Sequence, residues 1–374
     1  MDEEFMQEAI KLAKMGAGHT NPNPMVGAVI VKNGQIIGRG YHKQYGGLHA
    51  EREAIANCIE SGNEEKMAEA TIYVTLEPCC HTGKQPPCTD ALIKAGFVRV
   101  VIGSFDPNPL VAGKGVRILQ EAGIKVDGPV CEKECLKINK IFFHYITHKK
   151  PLVTLKVAET LDGKICTYSG KSKWITGDKA REKVHYDRNL NMAILVGVGT
   201  VLADNPMLNC RTTIVDNPRN PIRIVCDYHL RTPIDSNLVI TANDIPTWIF
   251  TGEQNEKKLL PYKNVGVKII NDARFNNKKE GISLAEIIGY LGEKGIDSLI
   301  IEGGGQINFS ALNEKIVDKV QVYMAPKIFG GKDAKTGVEG CGVETPDDAY
   351  LLENLEIEKL GVDYLFEGDV RYSN

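Results

Sequence analysis

The chain has 374 residues, with 45 basic and 48 acidic side chains, 10 cysteines and 8 histidines. Its 43% hydrophobic and 25% charged content excludes a disordered or fibrous chain, and at ~100–200 residues per domain the length predicts two domains. A net charge of −3 offers no broad basic surface, so no nucleic-acid partner and no membrane held by bulk electrostatics is expected.

Residues 2–15 place Phe5, Met6, Ala9, Ile10 and Ala13 at helical spacing, which predicts an amphipathic helix. This start is acidic, unlike a signal peptide, and no apolar run approaches the ~20 residues of a membrane span, so a cytoplasmic protein is expected. Ten cysteines then read as buried thiols or metal ligands rather than disulfides. Apolar runs at 26–32 and 35–41 flank Asn33-Gly34, a strong hairpin signal. A helix from His49 to Ile59, strand 71–76, helix 89–96, strand 98–103 and a helix near 114–122 follow. This alternation predicts an α/β sandwich on a mostly parallel sheet, with its active site at the strand C-termini.

Polar residues ending in Pro151 set a domain boundary at 146/147, ahead of a strand at 152–158. The second half, 147–374, is again α/β. Strands are predicted at 193–197, 222–226, 247–250, 298–301, 318–324 and 363–370, and helices at 178–189, 283–291 and 305–313. The polar stretch 252–282 reads as loop-rich.

The sharpest local feature is His49-Ala50-Glu51 followed by Glu77-Pro78-Cys79-Cys80 and Cys88. A catalytic zinc takes three protein ligands and keeps one position for water. His49, Cys79 and Cys88 supply the three, and the place of Cys88 just where helix 89–96 should begin favours its thiolate. Glu51, two residues past the histidine, suits a general acid/base that does not ligate. Cys80 competes with Cys79, but adjacent cysteines chelate one tetrahedral ion awkwardly. The order H-x-E, P-C, C is that of zinc deaminases, although eight residues, rather than two, separate Cys79 from Cys88. A buried thiol or a closed structural zinc is the plain alternative, and neither has a use for Glu51.

The segments NPNPMVGAVIV (21–31), HAE (49–51), TLEPCCHTGKQPPC (75–88) and SFDPNP (104–109) resemble the deaminase half of the bifunctional riboflavin-biosynthesis deaminase/reductases, where the wide cysteine spacing is usual. KVAETLDGKI (156–165), SKWITG (172–177), ILVGVGTVLADNPMLNCR (194–211) and IEGGGQI (301–307) resemble the reductase half. The resemblance implies a cytidine-deaminase-like α/β/α sandwich over 1–146 and a dihydrofolate-reductase-like α/β domain over 147–374. It implies zinc-hydroxide deamination of 2,5-diamino-6-ribosylamino-4(3H)-pyrimidinone 5′-phosphate, then reduction of the ribosyl group to ribityl with NADPH. By motif position, Asn23, His42, Lys84, Asp106 and Asn108 fall on the pyrimidine substrate. A turn role between prolines is the plain alternative for Asn23, and a solvated one for Lys84.

In the second half, Glu302-Gly303-Gly304-Gly305 and Gly197-Val198-Gly199-Thr200 each leave an apolar strand, which permits close approach of a pyrophosphate. Neither is a G-x-G-x-x-G fingerprint, and alone each reads more readily as a turn than as a nucleotide site. The resemblance places Ala158, Trp174, Thr200, Asp204, Gly304, Gly305, Gln306, Ile307, Asn308, Phe309 and Ser310 on the cofactor. It places Ser172, Arg188, Leu208, Arg211 and Glu302 on the substrate, the arginines suiting a phosphate through forked hydrogen bonds. Lys156 and Glu302 are the candidates for orienting or protonating the sugar. Thr160 and Cys80 stand where the family has serine. The family also implies a homo-oligomer. Two competing readings are a nucleoside, nucleotide or tRNA-base deaminase with an unrelated second domain, and a zinc-stabilised scaffold.

Overall fold

The computed structural model describes residues 1–108, 110–277 and 281–372. Pro109 of the SFDPNP segment and residues 278–280 of the 252–282 stretch lie outside them. The chain forms two compact units, Met1–Lys149 and Lys150–Asn374.

The first unit runs α1 (Asp2–Lys14), β1 (Gly27–Lys32), β2 (Gln35–Tyr41), α2 (Ala50–Glu60), α3 (Glu64–Met67), β3 (Thr71–Val74), α4 (Cys88–Lys94), β4 (Arg99–Ile102), α5 (Lys114–Glu121), β5 (Lys125–Asp127), α6 (Glu132–Ile138) and α7 (Lys140–His148). Its sheet has the order β2-β1-β3-β4-β5. The pairs β1/β2 and β1/β3 are antiparallel, and β3/β4 and β4/β5 parallel. The sheet is therefore half parallel rather than mostly so, because the Asn33-Gly34 hairpin folds β2 back on β1 and β3 enters beside β1 in the opposite direction.

Helices cover both faces, which is why β1 is an almost unbroken apolar run. Val29 and Val31 pack with Tyr73 and Val101 against Met6, Ala9 and Ile10 of α1. Ala28 and Ile30 pack with Ile72, Val74, Val100 and Ile102 against Ala50, Ala54 and Cys58 of α2, Leu92 of α4 and Leu119 of α5. Gly40 lets α2 lie against β2, since a Cβ there would stand 2.2 Å from the Ala54 nitrogen. That close approach fixes where the helix places its first turn.

The second unit runs β6 (Leu152–Thr160), α8 (Asp178–Leu190), β7 (Ala193–Gly197), α9 (Val198–Asp204), β8 (Ile222–Cys226), α10 (Asn237–Ile240), β9 (Thr247–Phe250), α11 (Glu256–Asn264), β10 (Lys268–Ile270), β11 (Asn276–Asn277), β12 (Gly281–Ile282), α12 (Leu284–Glu293), β13 (Ser298–Ile301), α13 (Gly305–Asn313), β14 (Lys319–Ala325), β15 (Leu351–Leu360) and β16 (Asp363–Arg371). Its nine-stranded sheet has the order β10-β9-β8-β7-β13-β6-β14-β16-β15. It is parallel from β10 to β14 and ends in the antiparallel pairs β14/β16 and β16/β15.

Alternate residues of β7 face opposite cores: Ala193 and Leu195 join Ile287, Leu291 and Leu312, whereas Ile194 and Val196 join Val201, Leu238 and Tyr262. The stretch 252–282 is not loop-rich. It holds α11, capped by Asn255 accepting from the Lys257 N–H, and then β10. Pro261 sits inside α11 and hides the helix in the sequence. Asp162 organises the turn after β6, where its carboxylate accepts from the Thr160 hydroxyl (2.5 Å) and from the Phe329 and Gly330 N–H groups (3.1 and 2.7 Å). Threonine at 160 thus retains the hydroxyl's hydrogen bond.

Candidate active sites

In the first unit, two helix starts and one loop converge. His49 is the N-cap of α2, with extended backbone that turns its ring back toward α4. Cys88 is the first residue of α4. The Cys79 carbonyl accepts from the Cys88 and Thr89 N–H groups (3.0 and 3.2 Å), closing the eight-residue excursion between the two cysteines. Arg52 of α2 donates to the Pro87 carbonyl at 2.9 Å and so ties that excursion to α2. In consequence the Cys79 and Cys88 sulfurs each lie 3.4 Å from His49 Nδ1. Among the described residues these three form the group able to hold a metal ion. Cys80 lies outside it, its thiol directed at the Leu110 carbonyl.

Glu51 sits in the first turn of α2, 3% exposed. Burial pushes its carboxyl up to about 7, helped by the neighbouring Cys79 sulfur. The Cys79 thiol is held well below its ordinary value, chiefly because Cys88 S–H donates to it.

A cavity of about 320 Å³ opens over these groups. Asn23, His42, His49, Glu51, Cys79, Lys84, Asp106 and Asn108 all line it. His42 directs Nδ1 at the Leu48 carbonyl (2.8 Å) and faces Asn23 Nδ2 with Nε2 (3.2 Å). Burial holds its pKa below the ordinary value, so the neutral ring is favoured. Lys84 Nζ stands 3.9 Å from the centre of the Tyr45 ring. Burial raises Asp106 to about 6, although its Oδ1 accepts the Asn108 N–H at 2.8 Å. Glu77, Tyr45 and, from α7, Phe142 and Tyr145 also line the cavity. The α7 residues carry no motif, and no sequence signal marked them.

In the second unit, Glu302 follows β13 and accepts a fork from Arg188 of α8, Nε to Oε1 at 2.7 Å and Nη2 to Oε2 at 2.9 Å. Lys156 of β6 adds a 3.4 Å contact to Oε2. Burial alone would raise the Glu302 carboxyl, but the two cations hold it down to about 2. Arg188 also donates to the Asn209 carbonyl, fastening α8 to the loop that carries Leu208 and Arg211. Leu208 itself is buried with a left-handed φ of 47°. His185 Nδ1 accepts the Arg211 N–H at 3.3 Å, and burial, with Arg188 and Arg211 nearby, lowers this histidine to about 4.

A larger cavity, about 760 Å³, lies at the C-terminal ends of β7, β8 and β13. Thr200, Asp204, Gly304, Gly305, Gln306, Ile307, Phe309 and Ser310 line it, as does Ser172, whose hydroxyl donates to Asp204 at 3.0 Å. Asn308 does not line it: it is buried and donates to the Gly337 carbonyl at 2.8 Å, anchoring the segment that carries Lys335, Glu339 and Cys341 to the rim. Lys156, Ala158, Trp174, Arg188, Leu208, Arg211 and Glu302 also lie off the lining, with exposed Trp174 under the Arg181 guanidinium. Arg231, Tyr228 and Lys335 are further lining residues that the sequence did not single out.

Comparison with known proteins bears on both units. The cytidine and deoxycytidylate deaminase zinc-binding region matches residues 1–104, and the RibD C-terminal domain matches residues 151–366. The riboflavin biosynthesis protein RibD of Actinobacillus pleuropneumoniae is 50% identical over 366 residues, covering 98% of this chain and 94% of that protein. This chain belongs to the RibD family. RibD of Aquifex aeolicus is 42% identical over 97% of each chain. Among solved structures, Acinetobacter baumannii RibD superposes with a TM-score of 0.86 at 35% identity, covering 99% of each chain. The Thermotoga maritima diaminohydroxyphosphoribosylaminopyrimidine deaminase/5-amino-6-(5-phosphoribosylamino)uracil reductase superposes with 0.83 at 39%, covering 100% of this chain and 99% of the other. RibD membership makes the chain a deaminase and a reductase of riboflavin biosynthesis, with a cytidine-deaminase-like first domain and a dihydrofolate-reductase-like second one. An unrelated second domain is excluded by the C-terminal match.

Proposed function

We propose that His49, Cys79 and Cys88 hold a zinc ion and that Glu51 moves protons during replacement of the ring 2-amino group of 2,5-diamino-6-ribosylamino-4(3H)-pyrimidinone 5′-phosphate by a carbonyl. The observation that carries this reading is the donor geometry. Tetrahedral zinc with N and S bonds of about 2.0 and 2.3 Å places such donors about 3.5 Å apart, and the sulfurs here stand 3.4 Å from Nδ1. Bound there, zinc supplies water activated near neutral pH. Glu51, whose pKa burial raises to about 7, would accept a proton from that water as the carboxylate and deliver it to the departing amine. Asn23 and neutral His42 orient the ring, Asp106 and Asn108 bound it, and Lys84 meets the 5′-phosphate.

The second unit reduces the deaminated product, with NADPH in the 760 Å³ cavity. The α13 N-terminus and Gly304 face that cavity, and a Cβ on Gly304 or Gly199 would meet nothing within 4 Å. This open backbone fits a pyrophosphate. Arg231 and Lys335 are the lining cations available to a 2′-phosphate, which favours NADPH over NADH. Lys156 and Glu302 orient the ribose, and exposed Arg211 takes its phosphate. The fork to Glu302 leaves Arg188 a supporting part, tying α8 to the loop that carries Arg211. A homo-oligomer formed through the exposed edge of β15 completes the reading.

Mass spectrometry of products tests it, with the diaminopyrimidinone phosphate incubated with and without NADPH. Amine-to-carbonyl exchange is expected without NADPH, and addition of two hydrogens with it. Glu51→Gln should retain zinc and lose deamination; full activity in that variant would overturn the proton-transfer role.

A further inference from the structure

Between the metal-facing loop and the turn that carries two substrate-facing residues lies a carboxylate with no assigned role. Glu77 is 3% exposed and lines the 320 Å³ cavity two residues before Cys79. Its Oε2 accepts the N–H groups of Asp106 (3.3 Å) and Gly113 (3.0 Å), and its Oε1 that of Val116 (3.2 Å). Its own N–H donates to the Ser104 carbonyl at 2.9 Å. Glu77 thus fastens the exit of β4, the 106–108 turn and the start of α5 to the segment leading into Cys79. Gly115 permits this junction, because a Cβ there would stand 2.2 Å from the Pro78 carbonyl oxygen.

We propose that Glu77 is a positioning residue for deamination, holding the 106–108 turn at the height where Asp106 and Asn108 meet the pyrimidine. The bonds run in series. Glu77 fixes the Asp106 N–H, Asp106 Oδ1 takes the Asn108 N–H at 2.8 Å, and Asn108 Oδ1 takes the Leu110 N–H at 3.1 Å. Backbone N–H groups bonded to a buried carboxylate are charge-assisted, so losing that acceptor loosens the turn. The chemistry at the metal depends on Glu51 and the three ligands, and among the described residues the Glu77 carboxylate bonds Asp106, Gly113 and Val116 instead of these. Loss of Glu77 therefore costs substrate affinity before it costs turnover. The inference rests on the proposed deaminase site.

Steady-state kinetics on the intact chain test it, with zinc content and reduction of supplied deaminated intermediate measured on each sample. Glu77→Ala should raise KM for the diaminopyrimidinone phosphate roughly tenfold or more while kcat changes by less than about threefold, zinc stays at the wild-type level and reduction is unchanged. Glu77→Gln keeps one carbonyl oxygen for the Asp106 and Gly113 donors and turns an NH₂ toward Val116, so its KM should rise in the same direction by a smaller factor. An unchanged KM in Glu77→Ala, or kcat and zinc falling together in both variants, would overturn the positioning role. Failure of wild-type protein to deaminate would instead overturn the functional reading on which the inference stands.

Discussion

At the scale of single residues, the paired cysteines 79 and 80 divide cleanly. Cys79 Sγ faces His49 and accepts the Cys88 N–H at 3.4 Å, whereas Cys80 is turned to the Leu110 carbonyl. Cys79→Ser should therefore lose zinc and deamination together, and Cys80→Ser should keep zinc content and rate within about twofold, since it removes one weak contact. Metal analysis beside the kinetics decides this, and zinc loss in Cys80→Ser would reassign the ligand. A second prediction concerns Glu302, which holds two half-buried cations, each 13% exposed. Removing its charge leaves Arg188 and Lys156 unpaired, so Glu302→Gln should cost about 3–5 kcal/mol at pH 7. Its folded pKa lies near 2, below the ordinary carboxylate value of about 4.3. The carboxylate's contribution is then complete above that value and is lost as pH falls toward 2, so the gap between wild type and variant should narrow over that window. Both tryptophans, Trp174 and Trp248, belong to the second unit, so urea unfolding followed by their fluorescence reads it directly. A gap independent of pH would contradict the ion-pair account.

Among the elements, those buried on two faces or bounded by turn residues were legible in the sequence. The β1–β2 hairpin, α2, β7 and β13 fall where periodicity and Asn-Gly place them, because their patterns are set by the cores they fill. What escaped was written in tertiary contacts. The helix α11 carries a proline and charged residues on a thin apolar face, and β15 has every residue exposed or nearly so. A shift of register between Glu353 and Glu356 also breaks its alternation. The metal cluster was legible because its ligands sit in short motifs. The junction at Glu77 was not, since its partners are backbone N–H groups 29 to 39 positions away. β15 is itself predictive. It is the last strand of its sheet, with Leu351, Leu355 and Ile357 53%, 52% and 60% exposed. A ten-residue edge that exposes apolar side chains among its charges is open to pairing, and a second copy of the chain is the occupant proposed here. Light scattering should give a dimer or larger assembly for wild type and a monomer for Leu355→Lys/Ile357→Lys, with the urea midpoint little changed. A monomeric wild type would remove the proposal.

Over the whole molecule, each unit carries its own sheet and its own cores, and each of the two cavities is lined by residues of one unit alone. The metal cluster belongs entirely to the first unit, and the fork of Glu302, Arg188 and Lys156 entirely to the second. Metal dependence should follow the same division. Bound zinc stabilises the unit that holds it and contributes to the chemistry of that unit's cavity. A chelator applied to the intact chain should therefore abolish amine-to-carbonyl exchange on the diaminopyrimidinone phosphate. Reduction of supplied deaminated intermediate by NADPH should continue at about its original rate, and the tryptophan-detected urea midpoint should not move. Restoring zinc should recover the first activity without altering the second. Loss of both activities on chelation, with both recovered on adding zinc, would mean that the reductase site depends on the metal-loaded first unit and that the two half-reactions are coupled through the protein.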